Sequence, residues 1–230
     1  PDYMALIASF STFAIGFLAR PLGGIIFGHF GDSVGRKKVL VIALLIMGVA
    51  TTAIGLLPSY QTIGIAAPLL LVFLRFVQGL AIGGQWGGAT LMVTESAPPA
   101  KRGFYGAFAQ AGAPAGVILA NLAFLAVSAA IPEPAFSEWG WRIPFLVSVL
   151  LLGVSVWIRL RLNESPVFQK MKDEGKGSKA PLTEAFANWS NAKIVLIALI
   201  GGVMGQGVVW YTGQFYALFF MQSILQVGPF

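Results

Sequence analysis

Two arginines lie inside runs of sequence that are otherwise apolar. Arg20 falls in the run from about Met4 to Phe27, and Arg75 in the run from about Ala66 to Met92. A charge at the centre of a bilayer costs at least about 2.5–3.5 kcal/mol on insertion scales, so it faces a cavity or a partner and can hold an anion there. Arg75 heads a row, Arg75, Gly79, Gly83 and Gly87, at i+4 spacing, with Gly84 and Gly88 beside it. Small residues at this spacing let helix backbones approach, which places Arg75 on a packed face and not on the lipid face. Arg20 stands eight residues before Gly28, roughly 12 Å of helix, so a buried role and snorkelling to the interface are both open to it.

Uncharged polar side chains form a second group within the apolar runs: Gln78, Gln85, Gln110, Asn121, Gln206, Tyr211 and Gln214. Singly, each is explained as a hydrogen-bonding tie between helices, worth about 0.6 kcal/mol. Gln206, Trp210, Tyr211 and Gln214 fall at i, i+4, i+5 and i+8, a stripe of amide and aromatic groups suited to a cavity wall. Gln85 and Trp86 make a similar pair. His29 is a single histidine with a structural reading. The sequence shows no cluster of His, Cys, Asp and Glu at metal-ligand spacing, no phosphate-binding glycine loop and no activated nucleophile, so enzyme chemistry, metal and cofactors are not expected.

The elements that must position these residues follow from composition. Of 230 residues, 57% are hydrophobic and 10% charged, against about 25% charged in soluble domains. Mean hydropathy is +0.78. Six apolar runs are long enough to span a membrane as helices: about 4–27, 39–57, 66–92, 104–131, 142–158 and 194–221. The fold class is therefore an all-α integral membrane protein with about six transmembrane helices. Gly112, Pro114 and Gly116 should break the fourth span near its middle. The first run ends in a polar loop, Gly28 to Lys38, and 159–191 forms a long polar connection. Within that connection Leu182, Ala185, Phe186 and Trp189 recur at helical spacing, as in a helix lying on the membrane surface. There is no cysteine, which excludes disulfides and thiolate metal sites.

Charge sets the orientation. Arg36, Lys37 and Lys38 fill the first loop, Lys101 and Arg102 the third, and Arg159, Arg161, Lys170, Lys172, Lys176 and Lys179 the fifth. The second and fourth linkers carry no cation apart from Arg142 at a helix start. The positive-inside rule puts 28–38, 95–103 and 159–193 in the cytoplasm. The net charge of +6 is scattered between spans; it reads as orientation signal and not as a nucleic-acid surface.

Four ordered stretches carry a family resemblance. Gly28-x-Phe30-Gly31-Asp32-x-x-Gly35-Arg36-Lys37-Lys38 resembles the signature loop between the second and third helices of the major facilitator superfamily. Arg75-x-x-Gln78-Gly79-x-x-x-Gly83 resembles the fourth-helix motif of that superfamily, Glu95-x-x-Pro98-x-x-x-Arg102-Gly103 the loop after it, and Trp141-Arg142-x-Pro144-Phe145 the start of the sixth helix. Arg20-Pro21-Leu22-Gly23-Gly24 and Glu164-Ser165-Pro166-Val167-Phe168 resemble the metabolite:proton symporters within it. Ser33 departs from the pattern, which has a basic residue there. Gly112-Ala113-Pro114-Ala115-Gly116 matches only loosely the antiporters' fifth-helix motif, which tilts the reading toward symport.

The resemblance implies a partial major facilitator bundle, helices two to seven of twelve. Residues 1–162 would be a half-bundle of five helices without its first, 163–191 the cytoplasmic loop between halves with its amphipathic helix, and 192–230 the first helix of the other half, truncated. It implies secondary active transport by alternating access, as proton-coupled symport of a dicarboxylate, a proline- or betaine-type osmolyte or a shikimate-like acid. The partners would be that metabolite, protons and the bilayer of the inner (plasma) membrane, with no nucleic acid and a monomeric full-length protein. Gly28, Asp32, Gly35, Arg36, Lys37, Glu95 and Arg102 would form a conformational lock. Arg75, Arg20, Gln78, Gln85, Trp86, Gln206, Trp210, Tyr211 and Gln214 would serve substrate or coupling. No acid lies deep in a span, so a proton-carrying acid would come from a further helix. An uncoupled facilitator or channel, and a receptor that does not transport, are the competing classes.

Overall fold

The computed structural model describes the chain apart from residues 1, 176–179, 218–219 and 226–230; side chains are also left aside at 2–10, 13, 211, 214–215 and 222–223. The described residues are helical almost throughout, because lipid offers no partner for a backbone amide outside a helix or closed barrel. Two units result, residues 1–179 and 180–230. The first holds helices α1 (Asp2–Val34), α2 (Arg36–Leu56), α3 (Tyr60–Ile63), α4 (Ala66–Ser96), α5 (Arg102–Ala130), α6 (Ala135–Glu138), α7 (Ile143–Arg161) and α8 (Pro166–Asp173). Six stretches among the described residues are long and apolar enough to cross a membrane: Ala14–Val34, Arg36–Leu56, Ala66–Ser96, Pro99–Ala130, Gly140–Arg161 and Trp189–Trp210.

Three local expectations change. The polar stretch after Phe27 is not a loop: α1 continues through Gly28, Phe30, Gly31 and Asp32 to Val34, and the chain turns at Gly35 alone. Its φ of 123° is open to glycine and strained for other residues. Polar residues can extend a helix beyond the bilayer because water satisfies their side chains. The fourth span is not broken, and α5 runs without interruption past Pro114. A proline removes one amide donor, and a transmembrane helix absorbs that loss. In the polar connection the amphipathic segment is short: α9 (Pro181–Ala187) stops at Asn188, and Trp189 begins α10 (Trp189–Ile197).

In the first unit α4 lies along both α1 and α2, and α2 also packs on α7. Glycine makes the α1–α4 approach possible. A methyl on Gly79 would strike the Gly16 carbonyl and sit 2.9 Å from Ala19 Cβ, and one on Gly83 would strike the Arg20 carbonyl and sit 2.8 Å from Gly24 N. Gly84 faces Phe27 and Gly88 faces Leu40, whereas Gly87, the last member of the i+4 row, faces open space. Most of the buried core belongs to α2: Val39, Leu40, Ala43, Leu44, Ala50 and Ile54. At its outer end the Arg142 guanidinium donates to the carbonyls of Leu57 (3.2 Å) and Glu138 (2.7 Å), tying the start of α7 to the end of α2. α5 and α7 have no buried residue, and their exposed Leu, Ile, Val and Phe side chains are stable only in an apolar solvent.

The second unit runs through α9 and α10, a π-helical stretch (Ala198–Met204), α11 (Gly205–Tyr211) and two further π-helical turns, Thr212–Tyr216 and Phe220–Ile224.

Candidate functional site

Polar groups gather at two depths of the first unit. At the cytoplasmic end four segments meet. Arg36, at the first position of α2, makes an ion pair with Glu95 near the end of α4, and its other nitrogen lies 3.6 Å from Asp32 on the last turn of α1. The Arg36 and Glu95 side chains are each 15% exposed, against 50% for Asp32, so the Arg36–Glu95 pair is the shielded one and its charges are little screened by salt. Glu95 also accepts a hydrogen bond of 2.5 Å from Ser165, a fully buried residue that caps α8 by accepting from the amide of Phe168 at 3.3 Å.

Glu164 completes the cluster. Both of its carboxylate oxygens accept from the amide of Lys37, at 3.1 and 3.2 Å, and one accepts from Ser165 N at 3.0 Å. The Lys37 ammonium in turn donates to the Leu160 carbonyl at 2.8 Å. An acid therefore sits on the N-terminus of α2 and a cation on the C-terminus of α7, each at the helix end whose dipole favours it. Gly35 is required twice here, since a Cβ would lie 2.6 Å from Glu164 Oε2 in addition to the strained φ.

The second group is deeper in the membrane. Arg75 Nη1 donates to Gln78 Oε1 at 3.2 Å, Gln78 Nε2 donates to Thr51 Oγ1 at 2.7 Å, and Thr51 donates to the Met47 carbonyl at 2.7 Å. Arg75 and Gln78 come from α4, one turn apart, and Thr51 and Met47 from α2. Gln78 is among the few buried polar side chains, 9% exposed. Arg75 forms no ion pair among the described residues.

These placements sort the expected residues. Asp32, Gly35, Arg36, Lys37 and Glu95 lie together at one end of the first unit. Arg102, exposed at the start of α5, joins no ion pair among the described residues. Gly28 instead lines a cleft of about 270 Å³ between α1 and α4, together with Gly31, Gly87, Asp32 and Arg36. Arg75 and Gln78 are joined, but Arg20 is offset from them. Its carbonyl faces Gly83 while that of Arg75 faces Gly16, a separation of about two turns of α4, roughly 12 Å. The Arg20 guanidinium lies over Phe17, 4.0 Å from the ring centroid. Trp86 donates to Gln110 of α5 at 3.3 Å, next to the half-buried Gln85. Gln206 and Trp210 are exposed in the second unit, and the side chains of Tyr211 and Gln214 lie outside the described residues.

Thr51, Glu164 and Ser165 were not among the residues the sequence singled out as functional. Ser165-Pro166 carries a helix-start signal, a capping serine followed by proline at the first helical position. Thr51 carries no such signal, because a threonine in a transmembrane helix usually bonds its own backbone. A cavity of about 620 Å³ opens between α2, α4 and α7 beside Lys37, Arg159 and Glu164. It is mostly apolar and contains none of Arg75, Gln78 or Trp86, so the larger space and the intramembrane charge do not coincide.

The profile of the family described as "Sugar (and other) transporter" matches residues 3–196. The chain belongs to this family, a family of transporters and not of enzymes. It is 46% identical to the inner membrane metabolite transport protein YhjE of Escherichia coli K12, over 97% of this chain and 50% of that protein. It is 45% identical to the E. coli shikimate transporter, over 85% of this chain and 45% of the transporter. Against the proline/betaine transporter of Salmonella typhimurium the identity is 40%, over 90% and 42%. The chain spans about half the length of the curated relatives it matches. Among solved structures, the proton:xylose symporter XylE of the major facilitator superfamily superposes with a TM-score of 0.67 at 18% identity, over 99% of this chain and 51% of that one. A partially occluded, inward-open XylE from E. coli gives 0.63 at 17% identity, over 88% and 51%. The fold is thus part of a major facilitator bundle, and the chain is a multi-pass membrane protein.

Proposed function

We propose that the full protein is a secondary active transporter of the inner membrane that carries a small anionic or zwitterionic metabolite, by alternating access and in symport with protons. The observation that carries this reading is Arg75, a guanidinium held in place by Gln78 inside a transmembrane helix and ion-paired to no carboxylate among the described residues. A fixed, uncompensated charge at that depth favours an anionic group. Shikimate, proline and betaine, named in its relatives, all present a carboxylate. Residues 1–162 would contribute five helices of one half, 163–191 the connection and 192–230 the start of the other half, with the complete protein acting as a monomer.

The cytoplasmic cluster acts in this reading as the lock. Asp32, Arg36 and Glu95 hold the ends of α1, α2 and α4 together, beside a glycine-lined cleft. Ser33, placed where the superfamily has a basic residue, donates to the His29 carbonyl at 2.9 Å and so adds no charge to the lock.

The test is uptake of labelled shikimate, proline, betaine and dicarboxylates into vesicles containing the full-length protein, with and without an imposed proton gradient. Accumulation above equilibrium that requires the gradient is the expected result. Equilibration without accumulation would replace symport by facilitated passage, and binding without uptake would make the protein a receptor.

A further inference from the structure

We infer that Thr51 is a positioning residue for the Arg75 guanidinium: its hydroxyl fixes which end of the Gln78 amide faces the arginine. The inference rests on the reading of Arg75 as the anion-binding group, but its geometry stands independently. A threonine hydroxyl has one proton, and that of Thr51 goes to the Met47 carbonyl at 2.7 Å. The oxygen can therefore only accept from Gln78, so the group 2.7 Å away must be the amide nitrogen. With Nε2 held on α2, Oε1 is left facing Arg75, where it accepts from Nη1 at 3.2 Å. Every bond in this chain points one way, from Arg75 through Gln78 and Thr51 to a backbone carbonyl of α2.

A rotated amide would present two N–H groups to a cation that offers only donors. The Thr51 hydroxyl prevents that rotation, and burial of Gln78 keeps water from substituting for it. Thr51 thus acts on the binding site through another residue without touching the ligand. Thr52, next in sequence, provides an internal comparison: its hydroxyl donates to Gly48 O at 2.9 Å.

The experiment compares Thr51→Val, Thr51→Ser and Thr52→Val in the full-length protein in membrane vesicles. The first readout is the rate at which phenylglyoxal modifies Arg75, followed by peptide mass spectrometry, which requires no transport. The second is KM and maximal rate for the carboxylate metabolite that the wild-type protein takes up. Thr51→Val should speed Arg75 modification and raise KM, each about five- to tenfold, the effect of losing one hydrogen bond to a charged group's partner. Maximal rate should hold, Thr51→Ser should restore wild-type values, and Thr52→Val should match wild type in both readouts. Wild-type labelling and KM in Thr51→Val would overturn the inference, as would a Thr51→Ser that behaves like the valine variant or a Thr52→Val equal to Thr51→Val. If the wild type takes up no carboxylate while the labelling contrast persists, the transport reading fails and the positioning of Arg75 by Thr51 stands.

Discussion

Replacing Gly79 or Gly83 by alanine should destabilise the protein, whereas Gly87→Ala should not. At Gly79 the new methyl meets the Gly16 carbonyl and comes within 2.9 Å of Ala19 Cβ; at Gly83 it meets the Arg20 carbonyl and comes within 2.8 Å of Gly24 N. Carbon atoms in ordinary contact sit about 3.5–4.0 Å apart, so each methyl demands that α1 and α4 part by about 1 Å. The opposing atoms are mainly backbone, which has no rotamer with which to yield. Overpacking of this kind costs about 1–3 kcal/mol per site. Because one separation relieves both clashes, the double variant should cost less than the sum of the singles. At about 2–4 °C per kcal/mol, each single variant should melt roughly 2–12 °C lower. Gly87 has nothing within 4 Å of a built Cβ and serves as the control. The measurement is the temperature at which detergent-solubilised full-length protein loses its monodisperse peak in size-exclusion chromatography. If Gly79→Ala and Gly83→Ala melt together with Gly87→Ala, α1 and α4 are not in backbone contact. The placement of Arg75, one turn from Gly79, would then lose its support.

Two further substitutions test the cytoplasmic cluster. Gly35→Ala should cost about 1–3 kcal/mol through its left-handed φ and should also push Glu164 off the amide of Lys37. Adding Glu164→Ala should relieve only the clash, so full recovery of the melting temperature would show that the backbone of Gly35 carries no strain. Glu95→Gln leaves Arg36 without its shielded partner, a loss of about 1–3 kcal/mol, and should loosen the junction of α1, α2 and α4. In a full-length background with any other cysteines removed, a Gly87→Cys reporter in the cleft can be followed by maleimide labelling; equal rates with and without the Glu95→Gln substitution would remove the pair from the lock.

The sequence made the spans and part of the cytoplasmic cluster, Asp32, Arg36 and Glu95, legible because each depends on residue type over short distances. Hydrophobic length marks α2 and α4, and the charges flanking Gly35 and Pro98 mark one side of the bilayer. It was less informative where long-range contact decides. Whether Gly28 through Asp32 forms a loop or the end of a helix depends on water solvating a projecting helix, and a run of polar residues is compatible with both. Gly79 and Gly83 differ from Gly87 only in what α1 places opposite them, which an i+4 pattern cannot distinguish. Glu164 is far in sequence from Lys37, and its use as a cap for α2 follows from where α7 ends. Thr51 was silent for the same reason: its importance lies in the amide it faces across the α2–α4 crossing.

That crossing connects the two polar groups. Arg36 and Thr51 are separated by fifteen residues of α2, about 22 Å along the helix axis. Each reaches α4, Arg36 through Glu95 and Thr51 through Gln78. Between them Leu40, Ala43, Leu44 and Ala50 are buried, and Gly88 admits the side chain of Leu40. Two helices tied at both ends of a packed seam move as one body, because opening either tie requires disturbing close-packed side chains between them. α5 is held differently: it has no buried residue, and among the described residues Trp86–Gln110 is its one side-chain hydrogen bond to α4. Arg75 and Arg36 therefore lie on one packed α2–α4 pair, to which α5 is joined by fewer contacts. In the proposed reading, an anion drawn to Arg75 would act on the same helix pair that the Arg36–Glu95 tie holds.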